Sequence, residues 1–251
     1  MLTAGPYGAA LGALLGHQFD MESEQDSAAK GPASDPVVIG ELFFRTTFQV
    51  MGHIAKADGR VSEQEIEAAR AMMAELRLTP PQVQAAIAAF TAGKQSSFDL
   101  DAALDALARA CAGRPDLLRV FLEIQVRVAL GGNDLAPSVR RALQRVARRL
   151  GISVLELAQI EAVLRIRRGS FAARAAPNIA AQQLEQAYRV LEVAPAASPE
   201  ELAKAYRRQL SRHHPDKLKA NGLPDSMIEH AKQRTQQIIE AYELIRERRG
   251  L

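Results

Sequence analysis

The tripeptide His214-Pro215-Asp216, followed by Lys217, stands between two strongly helical stretches of the sequence. Proline has no amide hydrogen and disfavours helical dihedral angles in the residue before it, so the preceding helix must end by His214. The tripeptide is therefore displayed at a turn between two helices. Its chemistry there is that of a binding surface, because no other group around it forms a reactive centre.

The helix before the tripeptide has a well-marked start. Ser198 is an N-cap residue, Pro199 takes the first helical position and Glu201 completes a capping box. Helical spacing then separates two faces. The apolar face consists of Leu202, Ala205, Tyr206 and Leu210, and the opposite face, called here the basic face, consists of Lys204, Arg207, Arg208 and Arg212.

Two further helices are predicted around this one, at about Pro224 to Arg246 and about Leu184 to Val193. Two long helices joined by a loop, here residues 218–224, pack antiparallel. The predicted core positions on the two added helices are Met227, Ala231, Ile238, Ala241, Tyr242 and Ile245, with Tyr188, Leu191 and Val193. This hairpin places His214 and Asp216 at one tip, beside the basic face.

The segments AYRVLEV, EELAKAYRRQLSRHHPDK and QQIIEAYELI resemble the J domain of DnaJ-type co-chaperones, over residues 182–251. The resemblance implies binding to a DnaK-type ATP-dependent chaperone and stimulation of its ATP hydrolysis. Fixed positive charges would also steer an acidic partner. The predicted chaperone-binding residues are His214, Pro215, Asp216, Tyr206, Arg207, Arg208, Lys204, Arg212 and Lys217.

Each of these assignments has a simpler alternative. His214-Pro215 could be a helix stop, the basic face could be an ordinary solvated surface, and Tyr206 could belong to the core. The sequence also departs from the J-domain pattern at Thr235, where an aromatic residue is common.

The chain has 251 residues, of which 47% are hydrophobic and 24% charged, enough for two globular domains. Strand signals are almost missing, so we predict an all-α fold. Capping signals recur at Ser62, Thr79 and Ser153. The predicted helices are Val38 to Ala57, Ser62 to Leu76, Pro80 to Ala92, Leu100 to Ala112, Asp116 to Leu130, Pro137 to Leu150 and Val154 to Arg167.

Residues 37–168 resemble a TerB-like helical bundle. The segment FFRTTFQVMGHIAKADGRVSEQEI is similar to its first half, and FLEIQVRVALGGNDLAPSVRRALQRVARRLGIS to its second. In that family an acidic turn has been associated with metal binding. Asp58, Glu63 and Glu65 match the first turn and are weak metal candidates, whereas Gly132, Asn133 and Val139 replace the acidic pattern of the second.

We predict no metal and no cofactor. The segment DGRVSEQE lacks the ligand spacing of a calcium loop, and capping already explains Glu65. Cys111, the single cysteine, lies on an apolar pattern and is expected to be a buried, inert thiol. The histidines His17, His53, His213 and His230 have no partners at zinc-ligand spacing, and we expect them to be surface or packed residues.

Residues 1–19 are apolar, and Gly8, Gly12 and Gly16 repeat at a spacing that places them on one helix face. A helix from Gly5 to Phe19 would be about 22 Å long, shorter than the ~30 Å hydrocarbon core of a membrane. No basic residue precedes it, which argues against a secretory signal. We interpret it as the C-terminal part of a membrane segment that begins upstream of Met1; a surface-lying or disordered tail is the alternative.

This order of segments resembles a family of membrane-anchored J-domain co-chaperones of Gram-negative bacteria. It comprises the membrane segment, a linker at 20–36, the TerB-like domain, a second linker at 169–181 and the J domain. The family implies a single inner-membrane pass, both globular domains in the cytoplasm, and a homodimer formed through the glycine face. If the short N-terminus is genuine, the protein would instead be soluble in the cytoplasm.

The sequence therefore predicts a non-enzymatic co-chaperone that acts in protein folding or the envelope stress response. One alternative is a TerB-like stress or metal-response protein with an accessory J domain. A less favoured alternative is a nucleic-acid-binding protein, suggested by a pI near 9.2 although the net charge is only +3. The arginines behind that alternative are Arg140, Arg141, Arg145, Arg148, Arg149, Arg165, Arg167 and Arg168.

Overall fold

The computed structural model describes residues 35–57, 59, 61–132, 135–172 and 179–251, and the regular elements in these ranges are all helices. This confirms the all-α prediction. The first seven helices are α1 (Pro36–Ala55), α2 (Glu63–Glu75), α3 (Pro80–Gly93), α4 (Leu100–Ala110), α5 (Pro115–Gly132), α6 (Pro137–Arg149) and α7 (Val154–Ala172). The last four are α8 (Ile179–Val190), α9 (Pro199–His213), α10 (Pro215–Ala220) and α11 (Asp225–Arg249).

The predicted N-terminal apolar helix, with Gly8, Gly12 and Gly16, lies outside the described residues. Within the described ranges, no helix combines the length and the apolar character needed to cross a membrane.

Local capping chemistry sets several helix starts where the sequence predicts them. At α2 the Glu65 carboxylate accepts from Ser62 N at 2.8 Å, and Glu65 N donates to Ser62 Oγ at 3.3 Å. At α9 the same reciprocal pair joins Ser198 and Glu201, at 2.8 and 3.2 Å. Because these bonds satisfy backbone groups at the first turn, each helix begins at a defined residue.

The bundle formed by α1 to α7 is built around α1 and α5. Phe43 on α1 meets Phe121 on α5 edge to face, with ring centroids 5.7 Å apart, and both rings are fully buried. On its other side α1 crosses α3 at very short range, since a Cβ atom built on Gly93 would lie 1.8 Å from Gln49 O. Gly52 makes the reciprocal approach to the Phe90 carbonyl. The two glycines therefore allow backbone-to-backbone packing.

A second apolar cluster lies between α8, α9 and α11 and contains most of the predicted J-domain core. Arg249, near the end of α11, fastens the turn between α8 and α9. Its guanidinium donates to Tyr188 Oη at 2.7 Å, to Ala197 O at 2.6 Å and to Pro195 O at 2.5 Å. One side chain thus joins three points of the chain.

Two sequence predictions for this region need correction. Met227 and Ala231 were expected to face α9, but they lie, with Leu218 and Leu223, in the apolar cluster of the bundle. The segment 218–224 was expected to be a loop, but its first three residues belong to the short helix α10. The physical reason is that Leu218 is fully buried against the bundle, and a helical turn orients it there.

The helices also extend into the segment 169–181, for which the sequence predicted no helical face. Helix α7 continues to Ala172 and α8 begins at Ile179. Val163 of α7 joins the apolar cluster of α8, α9 and α11. Residues 34–251 together form one compact unit, so the bundle and the C-terminal helices pack against each other.

Candidate chaperone-binding site

The His214-Pro215-Asp216 tripeptide lies at the junction of α9 and α10. Helix α9 ends at His213, as predicted, and His214 has extended dihedral angles (φ −63°, ψ 122°). Asp216 N donates to His214 Nδ1 at 3.3 Å, so His214 is the N-cap residue of α10 and Pro215 takes its first position. In this bond Nδ1 of His214 is the acceptor. The Asp216 side chain is exposed.

The basic face divides into paired and unpaired cations. Arg212 Nη1 lies 3.4 Å from Glu192 Oε2, and Arg208 lies 3.8 Å from the same oxygen. Lys204 and Arg207 are exposed and have no ion-pair partner among the described residues. The unpaired charges are therefore concentrated on the middle of α9, within reach of an approaching partner.

Tyr206 stacks on Tyr242, with ring centroids 4.1 Å apart and planes inclined by 12°. Burial, reinforced by Tyr242 and Glu243, raises the pKa of the Tyr206 phenol above its ordinary value. The ring is half-buried and packs against the apolar cluster of α8, α9 and α11, so part of it remains accessible. Core packing and partner contact are compatible at this position.

The structure brings to this site three residues of the bundle that the sequence analysis did not select. They are Asp116, Glu123 and Arg127, which follow one face of α5. Asp116 Oδ2 lies 3.1 Å from Lys217 Nζ. A signal was available in the sequence: Glu123, Gln125 and Arg127 interrupt the apolar run from Val120 to Leu130, where a polar residue must find a buried partner.

Glu123 lies buried between two histidines. Its Oε1 is 3.8 Å from His213 Nε2 and its Oε2 is 3.8 Å from His230 Nε2. Burial alone would raise the pKa of Glu123, but His213, His230 and Arg234 outweigh it and hold that pKa well below its usual range. Glu123 is therefore an ionised carboxylate inside the protein.

The two histidines differ in their surroundings. Burial lowers the pKa of His213 to about 4, against the opposing pull of Glu123, so its ring is neutral at pH 7. Arg127 Nη1 lies 3.3 Å from His230 Nδ1. Because a guanidinium can only donate, Nδ1 is the acceptor in this contact, and Nε2 lies on the side of Glu123. Both histidines are packed residues, as the sequence analysis allowed.

Thr235, the departure from the J-domain pattern, has a structural role. Its hydroxyl donates to His213 O at 2.9 Å. This carbonyl is in the last turn of α9, where helical carbonyls lack intrahelical partners. The hydroxyl of Thr235 therefore ties α11 to the residue that precedes the tripeptide.

The weak metal candidates form no second site within the described part of the chain. Asp58 lies outside the described residues, Glu63 is exposed and Glu65 is engaged in its cap. Among the described residues, no group of three or more His, Cys, Asp or Glu could hold a metal ion. Cys111 is buried, as predicted, and burial raises the pKa of its thiol to about 12, which disfavours the reactive thiolate.

Of the arginines that suggested nucleic-acid binding and whose side chains the structure describes, four are paired with carboxylates: Arg140, Arg145, Arg149 and Arg165. Arg145 donates to Asp101 at 3.0 and 2.8 Å, Arg149 forms the same fork with Asp105, and Arg140 pairs with Glu161 at 3.1 Å. Cations neutralised in this way make a weak footprint for phosphates. The nucleic-acid alternative is therefore not favoured.

Two family models match the chain. The model described as "Tellurite resistance protein TerB" matches residues 45–162, and the model described as "DnaJ domain" matches residues 186–249. The first match coincides with the bundle and the second with the helices that carry the tripeptide. No solved structure was found to match the chain.

Several curated proteins named "Co-chaperone protein DjlA" are similar over nearly the whole chain. The protein from Coxiella burnetii is 43% identical over 100% of this chain and 94% of its own length. The protein from Vibrio cholerae is 41% identical over 94% of this chain and 90% of its own. That from Yersinia pestis is 39% identical, covering 100% and 94% respectively.

Proposed function

Since this chain belongs to the DjlA family of co-chaperone proteins, we propose that its J domain recruits a DnaK-type chaperone and stimulates ATP hydrolysis by that chaperone. The observation that carries the proposal is the tripeptide held at the α9–α10 junction, with Asp216 exposed there and the unpaired cations Lys204 and Arg207 exposed on α9. The chain acts as a binding partner and is not itself an enzyme.

The mechanism is preferential binding to one conformation of the chaperone. Lys204 and Arg207 attract an acidic surface and speed the encounter, an effect that salt weakens. His214, Pro215 and Asp216 then make the contacts that differ between chaperone conformations. A partner that binds the hydrolysis-competent conformation more tightly shifts the chaperone population toward it. No group of this chain takes part in bond breaking.

The remaining chaperone-binding residues have secondary roles in the proposal. Arg208, Arg212 and Lys217 are held by carboxylates of this chain, at Glu192 and Asp116. They would therefore support the basic face and its orientation more than they contact the partner. Tyr206 would contribute the accessible part of its ring.

We also propose that the protein is attached to the inner membrane and faces the cytoplasm. Residues 1–19 would belong to the membrane segment, with Gly8, Gly12 and Gly16 as the face of a homodimer. The support is the pattern of the sequence, since these residues lie outside the described part of the chain. Membrane extraction of the full-length gene product, followed by cross-linking, would test both points.

The first test is single-turnover ATP hydrolysis by a DnaK-type chaperone, with wild-type protein and with His214→Gln. We expect wild type to accelerate hydrolysis and the variant to lose at least about tenfold of that acceleration, because Gln cannot reproduce the imidazole geometry. His53→Gln, the same change at a histidine of the bundle, is the matched control and should behave as wild type. A wild-type protein without any effect on hydrolysis would overturn the proposal, and an unimpaired His214→Gln would remove the tripeptide from it.

A further inference from the structure

The bundle contacts the chain on both sides of the tripeptide. Immediately before it, His213 lies 3.8 Å from Glu123 of α5. Immediately after it, Lys217 lies 3.1 Å from Asp116, also on α5. The next residue, Leu218, is fully buried in the apolar cluster of the bundle. Contacts with the bundle therefore flank the three-residue motif on both sides.

The two polar contacts come from a single face of α5. Asp116, Glu123 and Arg127 are separated by seven and four residues, so they project from the same side of α5. Asp116 is itself held by Arg119 at 3.2 Å, and Arg127 by Glu75 at 2.7 Å. Because partners within the bundle fix these side chains, the bundle offers the tripeptide a preorganised support.

Glu123 is the central member of this support. A buried ionised carboxylate is costly unless charges and donors surround it. In this protein the groups that surround Glu123 are His213, His230 and Arg234, which belong to α9 and α11. Separation of the two domains would leave Glu123 without those groups, so the carboxylate favours the docked arrangement.

Docking leaves the proposed chaperone-binding surface open. Lys204, Arg207, Arg208 and Asp216 are exposed with the bundle in place. His214 and Pro215 are half-buried, as are Tyr206 and Arg212. The contacts at His213 and Lys217 define the backbone orientation of His214 and Pro215. This geometry indicates support of the motif and not occlusion.

We propose that Glu123 is a positioning residue for chaperone binding: from α5 of the bundle it holds the α9–α10 junction, so that His214-Pro215-Asp216 is presented in one orientation. The inference rests on the proposed function and deepens it, because it gives the TerB-like bundle a part in the action of the J domain. A junction without this support samples several orientations, and the apparent affinity for the chaperone falls by the fraction that is competent.

The test is a titration of the chaperone's single-turnover ATPase with full-length Glu123→Gln. We expect the half-saturating concentration to rise about three- to tenfold while the maximal stimulated rate stays close to wild type, as a population effect requires. Amide hydrogen exchange should accelerate over residues 214–222, which measures the orientation of the junction directly. A fall in the half-saturating concentration would show that docking inhibits, and would overturn the inference.

Two further variants keep the test decisive. Glu161→Gln removes an equally buried carboxylate of the bundle, whose side chain is 12% exposed against 11% for Glu123. It pairs with Arg140 and Arg165, and the titration of this variant should match wild type.

Asp116→Asn removes the contact with Lys217. It should shift the titration in the same direction as Glu123→Gln, at a smaller cost in stability. Unchanged titrations in both interface variants, with an active wild type, would reject the inference and leave the proposed function intact; an inactive wild type would remove both.

Discussion

At the scale of single residues, burial of His213 couples the stability of the protein to pH. The pKa of this side chain is lowered to about 4 in the folded protein, against 6.5 for an exposed histidine. Between these values the unfolded chain binds a proton that the folded chain does not, so the free energy of unfolding falls as the pH decreases. The depressed pKa of Glu123 acts in the same direction at lower pH, below the ordinary range of a glutamate.

We therefore expect the free energy of unfolding to be about 2 kcal/mol lower near pH 5 than near pH 7. Each pH unit below the ordinary histidine pKa of 6.5 contributes ~1.4 kcal/mol, down to the lowered pKa of His213. Urea unfolding at a series of pH values would measure it. The same series with His213→Gln should show a much shallower dependence above about pH 5. An equally steep dependence in the variant would mean that another group is responsible.

The roles of single residues could be predicted from the sequence only where they depend on neighbours in the chain. The tripeptide, the caps at Ser62 and Ser198 and the buried Cys111 follow from local rules, because proline, serine and a lone buried thiol act on their own neighbourhood. The role of Glu123 does not follow in this way. Its partners His213 and His230 are about 90 and 107 positions away in the sequence, and only the packing of α5 against α9 and α11 brings them together.

At the scale of helices, the crossing of α1 and α3 depends on two glycines. A Cβ atom at Gly93 would lie 1.8 Å from Gln49 O, and one at Gly52 would lie 2.1 Å from Phe90 O. Both neighbours are backbone carbonyls, which cannot move aside as a flexible side chain can. The helices would have to separate to admit a methyl group.

We expect Gly93→Ala to lower the free energy of unfolding by about 3 kcal/mol, at the upper end of the range for overpacking. Chemical denaturation would measure the loss. Gly250→Ala serves for comparison: a Cβ atom there would have nothing within 4 Å, and only its left-handed conformation (φ +66°) is strained. That change should cost about 1 kcal/mol. Equal costs at the two positions would contradict the close crossing.

The helices themselves were predicted well where their starts carry capping signals, as for α3, α4 and α9; α4 and α9 are also clearly amphipathic. The errors fall where the bundle and the J domain meet. Met227 and Ala231 have the spacing of core residues, which the sequence detects, but spacing cannot say against which domain a core residue packs. The helical turn of α10 was missed for the same reason, since burial of Leu218 in a distant cluster stabilises it.

At the scale of the whole molecule, the packing of the two domains makes their stabilities depend on each other. Leu218, Leu223 and Met227 of the J domain share an apolar cluster with the bundle, and Val163 of the bundle joins the J-domain cluster. Because each domain contributes residues to the apolar cluster of the other, we expect the two domains to unfold together. Two well-separated domains would unfold in two steps.

The distribution of aromatic residues allows a direct test of this coupling. The protein has no tryptophan and four tyrosines, of which Tyr188, Tyr206 and Tyr242 lie in the J domain and Tyr7 lies outside the described residues. Near-ultraviolet circular dichroism therefore reports mainly on the J domain, whereas the far-ultraviolet signal reports on every helix. We expect the two signals to give the same urea transition in wild type.

Leu218→Ala should separate the two transitions. Removal of a fully buried leucine costs about 2–5 kcal/mol, and at this position the loss falls on the contact between the domains. The tyrosine signal should then be lost at lower urea than most of the helical signal. Leu104→Ala changes an equally buried leucine of the bundle. It should lower the urea midpoint of the whole protein, but the tyrosine signal should not be lost before the helical signal. Separate transitions already in wild type would show that the bundle and the J domain unfold independently. Coincident transitions in Leu218→Ala would show that this leucine does not carry the coupling between them.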